Sequence, residues 1–165
     1  MSDFISLNKQ DIFNPLQKVF GIVDRKNTMS ILANVLLEKN NGKLNLISTD
    51  TEIQISTSID AENADNEESI TINAKKFSDI LKSFRDDDNL LLDLDNDNER
   101  MHIKCGRSRF ALQTLPAEDF PKLELDEEKL KTFTLTQKEF KSLLKQTQYS
   151  IAVQDIRYYL NGLLL

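Results

Sequence analysis

An internal repeat is the feature that most constrains how this chain can fold. Apolar residues recur at a constant offset of 128 residues without a gap, pairing Ile5 with Phe133, Leu7 with Leu135, Ile12 with Phe140, Leu16 with Leu144, Leu32 with Leu160, Leu36 with Leu164 and Leu37 with Leu165. The residue Asn8, of a helix-capping type, falls on Thr136, which is also a capping type. Any two strand–helix–strand units share part of this pattern, but the match in element order and loop length favours a structural repeat.

The repeat predicts how the 165 residues divide into domains. We expect a first domain at residues 1–125, a charged linker at 126–132 and the start of a second domain at 133–165. The second copy has only begun when the chain ends, so we expect a truncated second domain whose last residues, 163–165, form an interior strand.

The spacing of apolar residues predicts an α+β fold. Alternation or a short apolar run, as at 31–37, predicts strands at residues 3–7, 31–37, 43–49, 51–60, 69–72, 90–94, 100–105 and 109–115. Helical spacing predicts a helix after the cap Asn8 as far as Val19, and a second at 74–84 after the cap Asn73. Pro15 lies inside the first helix and is expected to kink or shorten it.

Charge is distributed unevenly along the chain. There are 21 Lys and Arg against 27 Asp and Glu, which gives a formal net charge of -6 and by itself argues against nucleic-acid binding. Most of the acids, however, lie in the predicted loops, edges and linker at 60–68, 86–99 and 118–128. Lysines form stripes on predicted helices instead: Lys138, Lys141 and Lys145 on one, and Lys75 and Lys82 on another. Such a stripe is either a solvated face or a surface turned toward phosphates.

Several function classes are excluded by what the sequence lacks. The single cysteine, Cys105, rules out a disulfide framework, and we interpret it as a buried structural thiol. No signal peptide or membrane-spanning run is present, so the chain is predicted to be soluble and cytoplasmic. The acidic run 93–104 lacks the glycine and glutamate of a calcium loop, and one His with one Cys is too few for zinc. We therefore predict no metal, no cofactor and no catalytic residues.

Two segments carry a resemblance to a known family. Gly106-Arg-Ser-Arg-Phe-Ala-Leu-Gln-Thr-Leu-Pro-Ala-Glu-Asp-Phe-Pro121 and Gln148-Tyr-Ser-Ile-Ala-Val-Gln-Asp-Ile-Arg-Tyr-Tyr-Leu-Asn-Gly162 resemble stretches of the bacterial DNA sliding clamp, the beta subunit of the replicative DNA polymerase III holoenzyme. Shorter matches at 14–19, 30–37, 48–53 and 74–77 follow in the family's order. The resemblance implies a DNA-clamp fold with two helices packed on small antiparallel sheets per domain. Domains would be repeated around a ring made of two subunits joined head to tail.

The resemblance also implies which residues act. DNA contacts would fall on Arg25, Lys26, Lys75, Lys82, Gln154, Tyr158 and Tyr159. The dimer interface would involve Lys76, Ile80, Arg100, Arg107, Arg109, Phe110 and Leu112. A pocket for partner peptides would include Arg157 and Leu160. This chain departs from the family at Lys26-Asn27, where the family has Arg-Pro, so that a bidentate phosphate contact would be lost.

The function implied is that of a non-enzymatic processivity factor. The ring would encircle double-stranded DNA without sequence preference and tether DNA polymerases, the clamp loader and other proteins that carry a clamp-binding motif. Two readings remain as alternatives: an acidic protein-binding module that never contacts DNA, and a small hydrolase using carboxylates such as Asp93 and Asp95. Neither a nucleophile nor a glycine-rich loop accompanies those carboxylates, which argues against the hydrolase.

Overall fold

The computed structural model describes residues 2–23, 29–61, 67–95, 97–123, 132–153 and 155–164, without the side chains of Ser2, Asp3 and Tyr158. Contacts divide the chain into a first unit, Met1–Glu124, and a second unit, Leu125–Leu165. No helix within the described ranges is long and apolar enough to cross a membrane.

The first unit contains an antiparallel sheet of eight strands in the order β1-β6-β7-β8-β5-β2-β3-β4. The strands are β1 (Ser2–Asn8), β2 (Asn34–Asn40), β3 (Lys43–Thr49), β4 (Gln54–Asp60), β5 (Glu68–Asn73), β6 (Asn89–Leu94), β7 (Arg100–Cys105) and β8 (Ser108–Pro116). Strand β8 joins two ladders, because its residues 108–113 pair with β7 and its residues 114–116 pair with β5. The two predicted small sheets are therefore continuous through β8.

Helix α1 (Lys9–Val19) begins where the sequence predicts. The side chain of Asn8 accepts a hydrogen bond from the backbone N–H of Gln10 at 2.9 Å, which satisfies one of the free donors of the first turn. The helix ends at Val19 as predicted, so Pro15 does not shorten it, and the kink that was the other expected effect of Pro15 stays a prediction. Pro15 is itself buried, and its packing offsets the hydrogen bond that its missing N–H cannot make.

Helix α2 (Ala74–Lys82) begins after Asn73, whose side chain accepts from the N–H of Lys76 at 3.0 Å. It ends two residues before the predicted boundary at Phe84, because the N–H of Ser83 turns to the carbonyl of Ile80 at 3.0 Å. A second correction concerns the predicted strand 31–37. Residues Ser30–Ala33 form a 3-10 turn, and the strand starts only at Asn34.

Two apolar cores lie on opposite faces of the sheet. The main core contains α1, α2 and the inward residues of the strands, such as Val35 and Leu37 of β2. Leu36, between them, points to the other face. There it joins Ile31, Ile47 and Phe120 in a smaller outer core.

Buried charged side chains lie beside the main core, and no pattern in the sequence predicts their burial. Lys39 is 4% exposed; its ammonium contacts Glu68 at 2.9 Å and lies 4.7 Å from the ring centre of Phe4. Phe4 reaches that position because β1 has a register shift between Asp3 and Ile5, which turns the extra residue inward.

Two further buried ions have partners on neighbouring elements. Lys9 is paired with Asp86 and stacked on the ring of Phe13, and Asp93, 1% exposed, is paired with Lys104. A buried charge whose partner is removed is strongly destabilising, so these pairs are structurally important wherever they lie.

The second unit repeats the local structure of the first at the predicted offset. Helix α3 (Gln137–Thr147) corresponds to α1, and the 3-10 turns Gln148–Ser150 and Tyr158–Asn161 correspond to Phe20–Ile22 and Ser30–Ala33. The predicted strands do not recur: residues 133–135 and 163–164 have no regular structure. Their counterparts β1 and β2 pair with β6, β3 and β5, and the described part of the second unit contains no strand that could replace those partners.

Candidate functional surfaces

Helix α2 presents two separate exposed faces. Burial of Ala74, Phe77, Ser78 and Leu81 fixes its rotation. Lys75 and Lys82 then lie within about 20° of each other around the helix, and Lys76 and Ile80 lie on the next sector. The residues assigned to DNA and those assigned to the subunit interface are thus on different sides of one helix.

The face with Lys75 and Lys82 adjoins α1. The side-chain amide of Gln17 donates to the hydroxyl of the buried Ser78 at 3.1 Å and so links the two helices. Asp79 interrupts the lysine stripe and lies 3.4 Å from the Lys82 ammonium, with both side chains more than half exposed. So exposed a pair is easily exchanged for a phosphate contact, because solvent screens its attraction.

The other face of α2 adjoins β8. Phe110 of β8 is 37% exposed, and its ring meets that of Phe84 edge to face at a centroid distance of 5.8 Å. Leu112, also assigned to the interface, is 7% exposed and belongs to the main core. A cleft of about 290 Å³ separates Lys76 from β8 and is also lined by Leu112, Asn34 and Ser30. The structure therefore brings Lys76 and the buried Leu112 to one cleft, places Ile80 on the same side of α2 as Lys76, and packs Phe110 against Phe84 just after that helix.

The outer half of β8 has an unfilled edge. Within the described residues, positions 108–113 are paired on one side only, with β7. The cations assigned to this surface lie at the two ends of the β7–β8 hairpin: Arg107 and Arg109 near its turn, and Arg100 at its open end. The guanidinium of Arg109 donates to the carbonyls of Gly106 and Ser108, each at 2.8 Å, and so folds back on the turn. An open edge with an exposed aromatic residue beside it is suited to β-sheet extension by another chain.

In the second unit, Arg157 and Leu160 belong to one compact loop. Arg157 donates to both carboxylate oxygens of Asp155 at 3.0 Å, which lowers the pKa of Asp155 and raises that of Arg157. The side chain of Asn161 closes the loop by bonding the backbone of Asp155 in both directions, each at 3.0 Å. The carbonyl of Leu160 accepts from Ala152 at 2.9 Å. Tyr159 is 67% exposed beside it.

Helix α3 carries a lysine face and an apolar face. Lys138, Lys141 and Lys145 are exposed, within about 60° of arc. On the other side Phe140, Leu143 and Leu144 line an apolar groove of about 340 Å³ together with Phe133 and Leu164. The lysine stripe is a candidate phosphate-facing surface that the resemblance did not assign, and the spacing of the lysines in the sequence predicted it.

Four of the assigned DNA contacts fall outside what the structure describes: Arg25, Lys26, Gln154 and the side chain of Tyr158. They stay predictions from the sequence. No cluster of three or more His, Cys, Asp or Glu residues that could hold a metal occurs among the described residues. Cys105 is buried, and its burial and the nearby carboxylate of Asp88 raise the pKa of its thiol.

Comparison with known proteins identifies the family. Residues 3–124 match the family model of the DNA polymerase III beta subunit, N-terminal domain. The beta sliding clamp of Pseudomonas aeruginosa is 39% identical over 160 residues, which is 97% of this chain and 43% of that protein. The beta sliding clamp of Escherichia coli is 38% identical over 159 residues, with 96% and 43% covered. This chain thus spans less than half the length of the relatives it matches.

The fold agrees with these matches. A crystal structure of the DNA polymerase III subunit beta from Pseudomonas aeruginosa superposes with a TM-score of 0.87 at 36% identity, covering 96% of this chain and 42% of that one. The predicted α+β clamp fold, with helices packed on antiparallel strands, is confirmed. The chain therefore belongs to the DNA polymerase III beta subunit family and carries that family's N-terminal domain.

Proposed function

We propose that this chain is the N-terminal part of a processivity factor, a sliding clamp that encircles duplex DNA as a head-to-tail dimeric ring. In this proposal residues 1–125 are the first clamp domain, 126–132 the linker and 133–165 the beginning of the second domain. The protein acts in the cytoplasm and catalyses no reaction. The family membership and the clamp names of the relatives support this proposal.

The observation that carries the proposal is the division of α2 into two faces. One face offers Lys75 and Lys82 to solvent beside α1. The other has Lys76 and Ile80 on one side of the helix, and Lys76 shares a cleft with Leu112 and Gln113 of β8. A ring subunit needs these two surfaces to be separate, because it must hold DNA and a second subunit at the same time. An acidic binding module without DNA contact gives no reason for the exposed lysine stripe.

Sliding follows from the kind of contact the lysines make. An exposed ammonium is attracted to any phosphate, so binding is independent of sequence and depends strongly on salt. Phosphate contacts hold the duplex without reading its bases, so no position along the DNA is preferred. Lys138, Lys141 and Lys145 of α3 extend this attraction into the second unit, and Arg25, Lys26, Gln154, Tyr158 and Tyr159 are proposed as further contacts.

The partners are proposed in two groups. A second subunit pairs with the β8 surface through Arg100, Arg107, Arg109, Phe110 and Leu112 together with Lys76 and Ile80. DNA polymerases, the clamp loader and other proteins with a clamp-binding motif insert peptides into a pocket that includes Arg157 and Leu160. The fork between Arg157 and Asp155 supports a rigid loop there, which lowers the entropy lost on peptide binding.

The test is topological trapping of the full-length protein. A clamp loaded on closed circular DNA should stay bound in high salt and leave when the circle is cut. Replacing Lys26, Lys75 and Lys82 by Ala should weaken association with every DNA sequence alike, and should lower the salt slope of log affinity by roughly one unit per lost contact. Equal retention on circular and linear DNA, or no DNA binding at all, would favour the acidic protein-binding module.

The control must be a charge change away from the lysine stripe that leaves the fold intact. The turn after α2 contains three acids, but Asp86 pairs with the buried Lys9, and Asp88 accepts from the backbone and guanidinium of Arg85 at 3.0 and 3.1 Å. Replacing all three would disturb the turn. Asp87→Asn is the cleaner control, and it should leave the salt slope unchanged.

A further inference from the structure

The chain segment after β8, residues Ala117–Leu123, forms a strap across the outer face of the sheet. Its first turn, Ala117–Asp119, lies against β5. Phe120 then contacts residues of β2 and β3, and Leu123 reaches β4. The strap thus crosses the strands in their order in the sheet, from β5 to the edge strand β4.

Phe120 anchors the strap. Its side chain is 4% exposed and fills the outer core formed by Ile31, Leu36 and Ile47. Among the residues that the structure describes, this cluster shares no member with the main core. Truncation of Phe120 is therefore expected to remove contacts of the outer core and to leave those of the main core.

Polar contacts fix the far end of the strap. The ammonium of Lys122 meets the carboxylate of Glu38 on β2 at 2.7 Å. The N–H of Leu123 donates to the side-chain carbonyl of Gln54, the first residue of β4, at 2.9 Å. A backbone donor held by a side chain of the edge strand defines where the chain leaves the unit.

We propose that the strap moves the exit of the chain from β8 to the free edge of β4, and that Phe120 is the positioning residue that holds it there. Four strand spacings of about 4.8 Å separate β8 from β4, so the strap shifts the exit by roughly 20 Å. In the ring proposed above, the connection to the second domain starts from this fixed point. Only that last consequence rests on the proposed function.

The proposal is tested by measuring the exit position in the full-length protein. Spin labels on Ser56→Cys of β4 and Leu123→Cys, with any cysteine beyond residue 165 replaced, should give a short, narrow distance distribution, and Cys105 is buried away from the reagent. Phe120→Ala should broaden the distribution and shift it outward by up to roughly 20 Å. Phe120→Leu, which refills the outer core, should restore most of the narrow distribution.

Hydrogen exchange separates release of the strap from general loss of structure. In Phe120→Ala the amides of Phe120, Lys122 and Leu123 should exchange roughly a hundredfold faster, as expected for loss of a buried aromatic side chain, while the amides of β6 and β7 keep their protection. Equal acceleration in β6 and β7, or an unchanged label distance, would overturn the proposal by making Phe120 an ordinary core residue.

A milder pair of variants keeps the test valid if Phe120→Ala does not fold. Glu38→Gln and Gln54→Ala together should accelerate exchange at Leu123 and leave Phe120 protected. Unchanged exchange at Leu123 would show that β4 does not hold the exit. Neither measurement uses DNA, so a failure of the ring proposal in the trapping experiment would leave the result on the strap standing.

Discussion

The two copies of the repeat have the same helix bounds and very different surroundings. Helix α1 buries Ile12, Leu16 and Val19 in the main core, whereas α3 has no fully buried residue. The bounds still coincide at the offset of 128 residues, as do those of the 3-10 turns that follow. Helix ends are therefore set locally, by caps and turn residues, while strands need a partner and fail to form where none is available.

The largest effect should come from truncating the same leucine in each copy. Leu16 is fully buried, so Leu16→Ala should lower the free energy of unfolding by about 2–5 kcal/mol. Leu144, its counterpart, is half-buried, and Leu144→Ala should cost less than about 1 kcal/mol. Urea unfolding of the 165-residue chain, followed by circular dichroism, measures both.

Equal losses would break the contrast between the copies. They would mean that α3 is packed as tightly as α1 in solution and that the groove beside Phe140 and Leu143 is filled there. If Leu144→Ala left the free energy of unfolding unchanged, the contrast between the copies would be larger than predicted, because α3 would then contribute nothing to cooperative unfolding.

Breaking an ion pair should also cost much more stability in the first unit than in the second. Asp93 is buried and depends on Lys104, and neither of its oxygens accepts a further hydrogen bond among the described residues. Lys104→Met leaves that carboxylate without a partner and should cost about 3 kcal/mol or more. Arg157→Ala breaks the exposed pair with Asp155 in the second unit and should leave the unfolding midpoint almost unchanged.

Both variants can be compared in one series of thermal melts. If Lys104→Met were as stable as the parent chain, the stability of the folded chain would not depend on the pairing of the Asp93 carboxylate with Lys104.

Local features made much of the fold predictable from the sequence. The caps Asn8, Asn73 and Thr136 gave three helix starts, and alternation gave the strand Arg100–Cys105 with its observed bounds. Alternation reports which side of a strand is buried, and caps report where free N–H groups begin, so neither depends on distant residues.

Other features depend on contacts that a sequence does not display. The burial of Lys39 requires Glu68 from another strand and Phe4 from an irregular one, so no local pattern predicts it. The run 31–37 is apolar except for Asn34, and this pattern does not reveal the 3-10 turn that places Ile31 in the outer core. The site residues came from the resemblance, and the structure adds which of them share a face.

The salt dependence of DNA binding can be used to compare the lysine faces of the two units. In the full-length protein, Lys138, Lys141 and Lys145 replaced by Ala should lower the salt slope of DNA binding by up to roughly 2.7, against roughly 1.8 for Lys75 and Lys82. Gln10 and Gln17 of α1 occupy the positions of Lys138 and Lys145, and are neutral. An unchanged slope in the α3 variant would identify its lysines as an ordinary solvated face.

The smallest expected effect concerns the N-terminal caps of helices α1 and α3. Helix α3 has a capping box: the carboxylate of Glu139 accepts from the N–H and hydroxyl of Thr136 at 3.0 and 2.6 Å, and these bonds lower the pKa of Glu139. A carboxyl group with a lowered folded pKa stabilises the structure above its unfolded pKa and loses that contribution as the pH falls through the folded value. As the pH falls below about 4.3, the ordinary pKa of a glutamate side chain, the amide of Thr136 should therefore lose protection from exchange. Thr136→Ala or Glu139→Gln should remove this pH dependence.

The amide of Gln10 in α1 serves as the internal control, because its acceptor is the neutral side chain of Asn8. Equal loss at Gln10 and Thr136 would attribute the change to general acid unfolding. The same protection of Thr136 in the parent chain and in Glu139→Gln at every pH would show that the carboxylate of Glu139 does not stabilise the cap.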